Sequence, residues 1–197
     1  MEKFVCKIDP KIIYDLNNQI SKNRIINWAP DYNDQAGISF DDLSYILDYW
    51  KNKFSWTNEE EKLNKFNQYV FQYDNVKTHF LHIKSNHKNS IPLLLIHGWP
   101  GSIFEFNDLI PLLTSPDKND LKNYLAFDLI IPSLPNVGFS FSPKQKPLDL
   151  NEISKHFIKL MKTLDYQKYF IQGGDLGSFI ASIMAVNVPK EVMGIHL

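Results

Sequence analysis

The sequence is poor in cysteine, in arginine and in long apolar stretches. Its only cysteine is Cys6, so no disulfide can form within the chain, and a reducing compartment is indicated. Arg24 is its only arginine, and the net charge of −1 gives no electrostatic reason to expect nucleic acid as a partner. The N-terminal residues contain no apolar run typical of a signal peptide or a membrane anchor. We therefore expect a cytoplasmic protein in which Cys6 is an ordinary thiol near a mobile terminus.

The composition is that of a packed globular protein. Of the 197 residues, 44% are hydrophobic and 14% are aromatic. A chain of this length is sufficient for one domain that buries about 70% of its unfolded surface. The sequence contains neither internal repeats nor a low-complexity segment.

The first third of the chain has a helical pattern. Residues 10–22 and 39–53 carry apolar side chains at helical spacing. Asp9, before the first segment, and Ser39, at the start of the second, are residues typical of an N-cap. A third, shorter helix is predicted next, and a loop rich in Pro, Asn and Asp is predicted between the first two. The third helix is expected from Thr57 through Leu63 and Phe66, and the loop over residues 27–37.

After residue 67 the hydrophobic period becomes that of strands. Short apolar segments then alternate with helical ones, which predicts a mainly parallel α/β sheet. Asp74-Asn75, between the first two strands, is a tight hairpin signal. We expect an α/β protein with a helical extension over residues 1–66 and a sheet core over residues 67–197. Six strands are predicted, over 68–73, 76–85, 91–97, 127–131, 169–172 and 192–197, and three helices over 103–113, 149–164 and 176–187.

The segment 173–178, Gly-Gly-Asp-Leu-Gly-Ser, lies between a predicted strand and a predicted helix, which is the context of a nucleophile elbow. The elbow needs small residues on both sides of the nucleophile because the turn is crowded. Asp175 has the central position, so the pattern predicts a carboxylate nucleophile rather than the serine of an esterase. The dipole of the following helix would favour the ionised carboxylate. The alternative interpretation is that Asp175 only caps this helix.

The segment HGWPGS (residues 97–102) follows the third predicted strand. Before an elbow, a loop at this place supplies one backbone N–H of an oxyanion hole, and the residue after the nucleophile supplies the other. The donors are therefore predicted to be the amides of Trp99 and Leu176. A third loop, over residues 132–140, is expected at the same sheet end, where ligands bind. The residues expected to form the pocket and its loops are His97, Gly98, Pro100, Gly101, Phe139, Gly174 and Gly177.

The histidines are expected to have structural or surface uses. A general base must reach a water molecule near Asp175, and the predicted elements place none of these imidazoles for that role. The residues concerned are His79, His82, His87, His97, His156 and His196.

Together these segments resemble the microsomal and juvenile-hormone epoxide hydrolase family. The matching strings are HGWPGS at residues 97–102, PSLPNVGFS at 132–140 and QGGDLGS at 172–178. Residues 8–85 are similar to the N-terminal region of the family. The resemblance implies an α/β-hydrolase core, an aspartate that opens an epoxide to an alkyl-enzyme ester, and a histidine-activated water that hydrolyses the ester to a diol.

The resemblance also implies which parts of the machinery are outside the chain. The acid, the histidine and the two lid tyrosines of the family would lie beyond residue 197, so we expect a partial sheet that attacks the substrate without releasing product. A small apolar epoxide is the expected substrate, with no cofactor and no metal, and an oligomer or a complementing C-terminal polypeptide is the expected partner. Association with the endoplasmic reticulum membrane, as in some relatives, is the alternative location. The alternative functions are an inactive truncated member that binds small apolar molecules and a haloalkane dehalogenase-like hydrolase.

Overall fold

The computed structural model describes residues 1–26, 37–116 and 125–197. These residues form two compact units. The helical unit is Cys6–Lys65, and the sheet unit combines Met1–Val5 with Phe66–Leu197. The loop predicted over residues 27–37 lies almost entirely outside the described residues.

The helical unit has the three helices that the sequence predicts. A side-chain oxygen at the start of each helix accepts a hydrogen bond from a backbone amide of the first turn, which satisfies a donor that the helix leaves unpaired. The helices are α1 (Pro10–Lys22), α2 (Phe40–Asn52) and α3 (Trp56–Leu63), and their capping residues are Asp9, Ser39 and Ser55.

Cys6 is buried in the helical unit, so the expectation of a thiol near a mobile terminus is wrong. Its amide donates to Asn64 Oδ1 at 2.9 Å, and Asn64 Nδ2 donates to the Cys6 carbonyl at 2.8 Å. Burial, together with the charge of Glu60, raises the pKa of the Cys6 thiol to about 11, which disfavours the reactive thiolate. Cys6 and Asn64 are 58 positions apart in the chain. The contact between them therefore could not be predicted from the position of Cys6 near the terminus.

The sheet unit contains a mixed sheet rather than a mainly parallel one. The described strands are β1 (Glu2–Phe4), β2 (Gln68–Tyr73), β3 (Val76–Ile83), β4 (Ile91–Ile96), β5 (Phe127–Pro132), β6 (Tyr169–Gly173) and β7 (Val192–His196). They lie in the order β1-β2-β3-β5-β4-β6-β7. The pairs from β1 to β5 are antiparallel, and the pairs from β5 to β7 are parallel. The parallel half has the topology that places ligand sites at the carboxyl ends of its strands.

The strand β1 was not predicted, and it adds a seventh strand to the six expected. Glu2 pairs with Val70 and Phe4 pairs with Gln68 in an antiparallel register. A segment of three residues is too short to show an alternating pattern. Its pairing with β2 is decided by the fold, because the partner residues are far away in the chain.

The β2–β3 hairpin is confirmed at the two residues that signalled it. Asp74 and Asn75 have φ angles of 50° and 60°. A two-residue hairpin turn of this kind requires positive φ at both central positions, and aspartate and asparagine tolerate that conformation better than most residues.

One face of the sheet is covered by α5 (Leu150–Thr163) and α6 (Leu176–Asn187). A capping box formed by Asp149 and Glu152 starts α5, at the place where the sequence predicts a helix. The core on this face fixes the positions of β6 and α6, which flank Asp175. Its fully buried apolar side chains include Phe80, Leu94, Ile96, Ile130, Phe157, Leu160, Met161, Ile180, Ala181 and Met184.

The single helix predicted over residues 103–113 is wrong. A 3₁₀ helix covers Ile103–Phe106, and a separate helix, α4, covers Leu109–Thr114. Pro111 has no N–H for a helical bond to the carbonyl of Asn107, and its ring would clash with that carbonyl in a continuous helix. The chain therefore breaks between the two segments.

Candidate active site

Asp175 occupies the sharp turn between β6 and α6. Its backbone has φ 52° and ψ −124°, a conformation that costs free energy in a residue other than glycine. A Cβ atom on Gly173 would collide with the carbonyl of Gly177, and a Cβ atom on Gly177 would collide with the carbonyl of Ile96. The crowding that the elbow pattern implies is therefore located at these two glycines.

Gly174 differs from its neighbours, because a Cβ atom there would meet nothing within 4 Å. Gly174 and Gly177 were among the predicted site residues, and Gly173 was not. The spacing of small residues two positions before and after the nucleophile was the signal that identifies Gly173.

The carboxylate of Asp175 is exposed and is held by backbone amides. The Trp99 amide donates to Asp175 Oδ1 at 2.8 Å. The amides of Trp99 and Leu176, with Trp99 as the larger cause, hold the pKa of the Asp175 carboxyl below its usual value. The side chain makes no capping hydrogen bond to α6, so the geometry does not support the alternative in which Asp175 only caps the helix. Ser178 Oγ donates to the Asp175 carbonyl at 2.7 Å and supports the turn.

Gly98 lies against the Asp175 side chain. A Cβ atom on Gly98 would be 2.5 Å from Asp175 Cβ and 2.8 Å from Asp175 Oδ1. Glycine therefore permits the close approach that brings the Trp99 amide to the carboxylate. Trp99 is 64% exposed, and its hydrogen bond to Asp175 is made by the backbone N–H.

The remainder of the HGWPGS segment is braced by Glu105. Glu105 Oε1 accepts the Ser102 amide at 2.9 Å, as part of a capping box on the 3₁₀ helix. A Cβ atom on Gly101 would collide with the same carboxylate. Pro100 is exposed. These contacts fix the conformation of the loop, and none of them is a contact between Glu105 and Asp175.

The loop over residues 132–140 joins the other two loops through His97. The Leu134 amide donates to His97 Nε2 at 3.0 Å, and His97 Nδ1 is 2.8 Å from the Gly98 carbonyl oxygen. Phe139 is half-buried, and its ring centroid lies 5.1 Å from that of His79. The three loops therefore meet at the carboxyl ends of β4, β5 and β6. Leu134 was not named from the sequence, because a backbone amide leaves no signal in residue type.

Two buried histidines, His79 and His156, make hydrogen bonds in and beside the loop over residues 132–140. His79 Nδ1 is 3.0 Å from Ser133 Oγ, His79 Nε2 is 3.0 Å from Gln68 Oε1, and the His79 amide donates to Ser140 Oγ at 3.0 Å. His156 Nε2 is 3.0 Å from Thr78 Oγ1. Burial lowers the pKa of His79 and that of His156 to about 4. These contacts are structural, and none of them involves Asp175.

Neither a metal centre nor a transmembrane helix is found in the part of the chain that the structure describes. No three or more His, Cys, Asp or Glu side chains there are grouped to hold a metal ion. No helix formed by those residues combines the length and the hydropathy needed to span a membrane.

Comparison with known proteins identifies both parts of the chain. A family described as "Epoxide hydrolase N terminus" matches residues 1–106, and one described as "alpha/beta hydrolase fold" matches residues 91–197. A putative epoxide hydrolase of Stigmatella aurantiaca is 42% identical over 82% of this chain and 37% of its own length. Epoxide hydrolase 1 of Sus scrofa is 37% identical over 94% of this chain and 42% of its own length. The chain thus spans about two fifths of the length of these curated relatives.

Solved structures agree with the sequence matches. Juvenile hormone epoxide hydrolase from the silkworm Bombyx mori superimposes with a TM-score of 0.87 at 32% identity, over 99% of this chain and 52% of the silkworm chain. The epoxide hydrolase of Aspergillus niger superimposes with a TM-score of 0.83 at 28% identity, over 100% of this chain and 52% of the fungal chain. The predicted α/β-hydrolase fold with an N-terminal helical region is confirmed, and the chain belongs to the epoxide hydrolase family.

Proposed function

We propose that this chain supplies the nucleophile and the oxyanion hole of an epoxide hydrolase that acts on small apolar epoxides. The observation that supports this most directly is the 2.8 Å hydrogen bond from the Trp99 amide to Asp175 Oδ1 at the elbow. It orients an exposed carboxylate beside backbone donors. The names of the relatives, epoxide hydrolase and juvenile hormone epoxide hydrolase, support the class of substrate.

The first step is alkylation of Asp175. A carboxylate oxygen attacks a ring carbon of the epoxide and forms a C–O ester bond. The ring C–O bond breaks, its electron pair moves to the ring oxygen, and that oxygen takes up a proton. Because backbone amides hold the pKa of Asp175 below its usual value, the carboxylate is ionised at neutral pH and ready to attack.

The second step is hydrolysis of the ester. Water adds to the ester carbonyl carbon, and the amides of Trp99 and Leu176 stabilise the oxyanion that forms. Collapse of the intermediate breaks the bond from the carbonyl carbon to the alkyl oxygen, which releases a diol and restores Asp175. The family resemblance implies a histidine that activates this water and lid tyrosines that protonate the ring oxygen, both outside residues 1–197. Residues 1–197 therefore carry out the alkylation step.

Intact-protein mass spectrometry after incubation with styrene oxide tests the proposal. Ring opening has no leaving group, so an adduct adds the whole mass of the epoxide, and peptide mapping should place it on Asp175. Asp175→Ala is the control and should show no adduct. A parallel incubation with a chloroalkane tests the dehalogenase alternative, because that adduct adds only the alkyl group. Binding of styrene oxide without an adduct would overturn the proposal in favour of a protein that only binds small apolar molecules.

We also propose that an oligomer or a complementing polypeptide covers the edge of the sheet at β7. Within the described sheet, β7 pairs on one side only, with β6. Met193, Ile195 and Leu197 are exposed on this strand and directly after it, and an unpaired apolar edge favours association. Analytical ultracentrifugation at micromolar concentration checks this, since a stable monomer would exclude the oligomer. The cytoplasmic location stays a prediction.

A further inference from the structure

The peptide unit that joins Gly98 to Trp99 is hydrogen-bonded at both of its polar ends. Its carbonyl oxygen, on Gly98, lies 2.8 Å from His97 Nδ1. Its N–H, on Trp99, donates to Asp175 Oδ1 at 2.8 Å. The only cis peptide bond among the described residues is the next one, Trp99–Pro100, so this unit is trans. In a planar trans peptide the C=O and the N–H point in opposite directions. Whatever fixes the direction of the Gly98 carbonyl therefore also fixes the aim of the Trp99 N–H.

The contacts of His97 define which of its nitrogens carries the proton. The Leu134 amide can only donate, and it donates to His97 Nε2 at 3.0 Å. Nε2 is therefore the acceptor, and the neutral ring carries its proton on Nδ1. That proton is donated to the Gly98 carbonyl. His97 is 1% exposed, so both bonds are made inside the protein and water does not replace them.

Gly98 makes such a constraint necessary. A side chain at this position would collide with Asp175, so only glycine allows the loop to approach the carboxylate. Glycine also has the most freely rotating backbone. A rotated Gly98–Trp99 unit would turn its carbonyl oxygen toward the carboxylate, where the two would repel each other.

We propose that His97 is a positioning residue that locks the Gly98–Trp99 peptide plane, so that the Trp99 N–H points at the reacting carboxylate. The ring is in turn anchored by Leu134, which couples the loop over 132–140 to the elbow. The inference deepens the proposed function and rests on it in assigning the reacting carboxylate to Asp175.

The buried environment of the His97 ring favours a neutral imidazole. Burial holds the pKa of His97 below its usual value, although the Gly98 carbonyl and the charge of Glu105 act in the opposite direction. The neutral form is therefore the one present at physiological pH, and it is the form that the two hydrogen bonds require.

Two substitutions separate the two hydrogen bonds of His97. In His97→Asn, the amide nitrogen takes the place of Nδ1, which keeps the bond to Gly98 and loses the one to Leu134. In His97→Gln, the amide oxygen reaches the place of Nε2, which keeps the bond from Leu134 and loses the one to Gly98. The pKa of Asp175, measured by a carbon-13 NMR titration of the labelled chain, reports whether the Trp99 N–H still points at the carboxylate.

We expect His97→Gln to raise the pKa of Asp175 toward its usual value and His97→Asn to raise it less. Equal changes in both variants, or no change in either, would overturn the proposal. His156→Gln is the matched control, because it removes a buried imidazole that contacts Thr78. It should leave the pKa of Asp175 unchanged, and a shift there would mean that general loosening explains the effect.

A second measurement needs no variant and therefore does not depend on how the substitutions fold. Nitrogen-15 NMR of the ring in the unchanged chain should show a proton on Nδ1 and none on Nε2, and a proton on Nε2 would overturn the proposal. Neither measurement needs a substrate. If styrene oxide leaves Asp175 unmodified while both readouts behave as expected, the proposed function fails and the positioning role of His97 stands.

Discussion

Two aspartates lie at opposite ends of the parallel half of the sheet, and their surroundings differ completely. Asp128 is near the amino end of β5 and is 7% exposed. Its Oδ1 accepts the Ser85 amide at 2.9 Å and the Ser90 hydroxyl at 2.8 Å, and its Oδ2 accepts the Tyr166 hydroxyl at 3.2 Å. Asp175 follows the carboxyl end of β6, is exposed, and is bound by backbone amides.

The same residue type therefore serves two purposes in this sheet. The side-chain and backbone donors around Asp128 engage both oxygens and tie together β5 and the segments that carry Ser85 and Tyr166, so its charge is used to hold the fold. Asp175 is held by rigid backbone donors and open to solvent, so its charge is available to a ligand. The following predictions test this contrast through the free energy of unfolding.

Acid should have the largest effect, because the loops at the carboxyl end are supported by buried neutral histidines. The pKa of His79 and that of His156 are about 4 in the folded chain and about 6.5 in the unfolded one. Their contribution is complete above pH 6.5 and is lost as the pH falls from 6.5 to 4, because the unfolded chain binds protons first. At pH 5 we expect a loss of about 2 kcal/mol for each histidine. Urea unfolding at pH 7.5 and pH 5 measures this, and His156→Gln should show a smaller pH dependence than the unchanged chain.

Gly177→Ala should have the next largest effect, because the elbow end depends on backbone crowding. The added methyl group would collide with the carbonyl of Ile96, and we expect a loss of about 3 kcal/mol. Gly174→Ala is the matched control, since its methyl group would enter open space, and the change there should stay within about 1 kcal/mol. Equal losses in the two variants would contradict the assignment of crowding to Gly177.

Asp128→Ala should destabilise the chain by about 2 kcal/mol, because it leaves buried donors without an acceptor. Among them is the Tyr166 hydroxyl, whose pKa is raised by burial and by Asp128, so it remains a protonated donor. Thermal unfolding followed by circular dichroism is the measurement. A melting temperature equal to that of the unchanged chain would remove the distinction between the two aspartates.

Asp175→Ala should have the smallest effect on stability and should abolish the epoxide adduct. The side chain is exposed and caps no helix, so its removal leaves no buried group unpaired. We expect a melting temperature close to that of the unchanged chain. A large loss of stability would mean that Asp175 holds the turn together, and the adduct assay with this variant would then report on folding rather than on chemistry.

Most elements were predictable because their signals are local. Capping residues and helical periodicity located α1 and α2, helical segments alternating with strands located α5 and α6, and apolar runs located β4, β5 and β6. The failures have physical reasons as well. β1 is too short to carry a pattern, Pro111 interrupts the predicted helix at residues 103–113, and Cys6 is buried by partners that are distant in the chain.

The order of the elements, the elbow and the central position of Asp175 in it can be read from the amino-acid sequence. These follow from residue types at fixed short spacings, where glycine is required by crowding and apolar residues by burial. The motif also predicted the Trp99 amide as a donor near the elbow, but its 2.8 Å hydrogen bond to Asp175 Oδ1, across 76 positions of the chain, depends on how the strands pack. The same packing brings the Leu134 amide to His97 Nε2 across 37 positions, and no sequence pattern predicted that contact. Only the tertiary structure decided which aspartate is buried. Backbone amides are the same at every position, so only the packing of strands can bring a particular amide to a particular carboxylate.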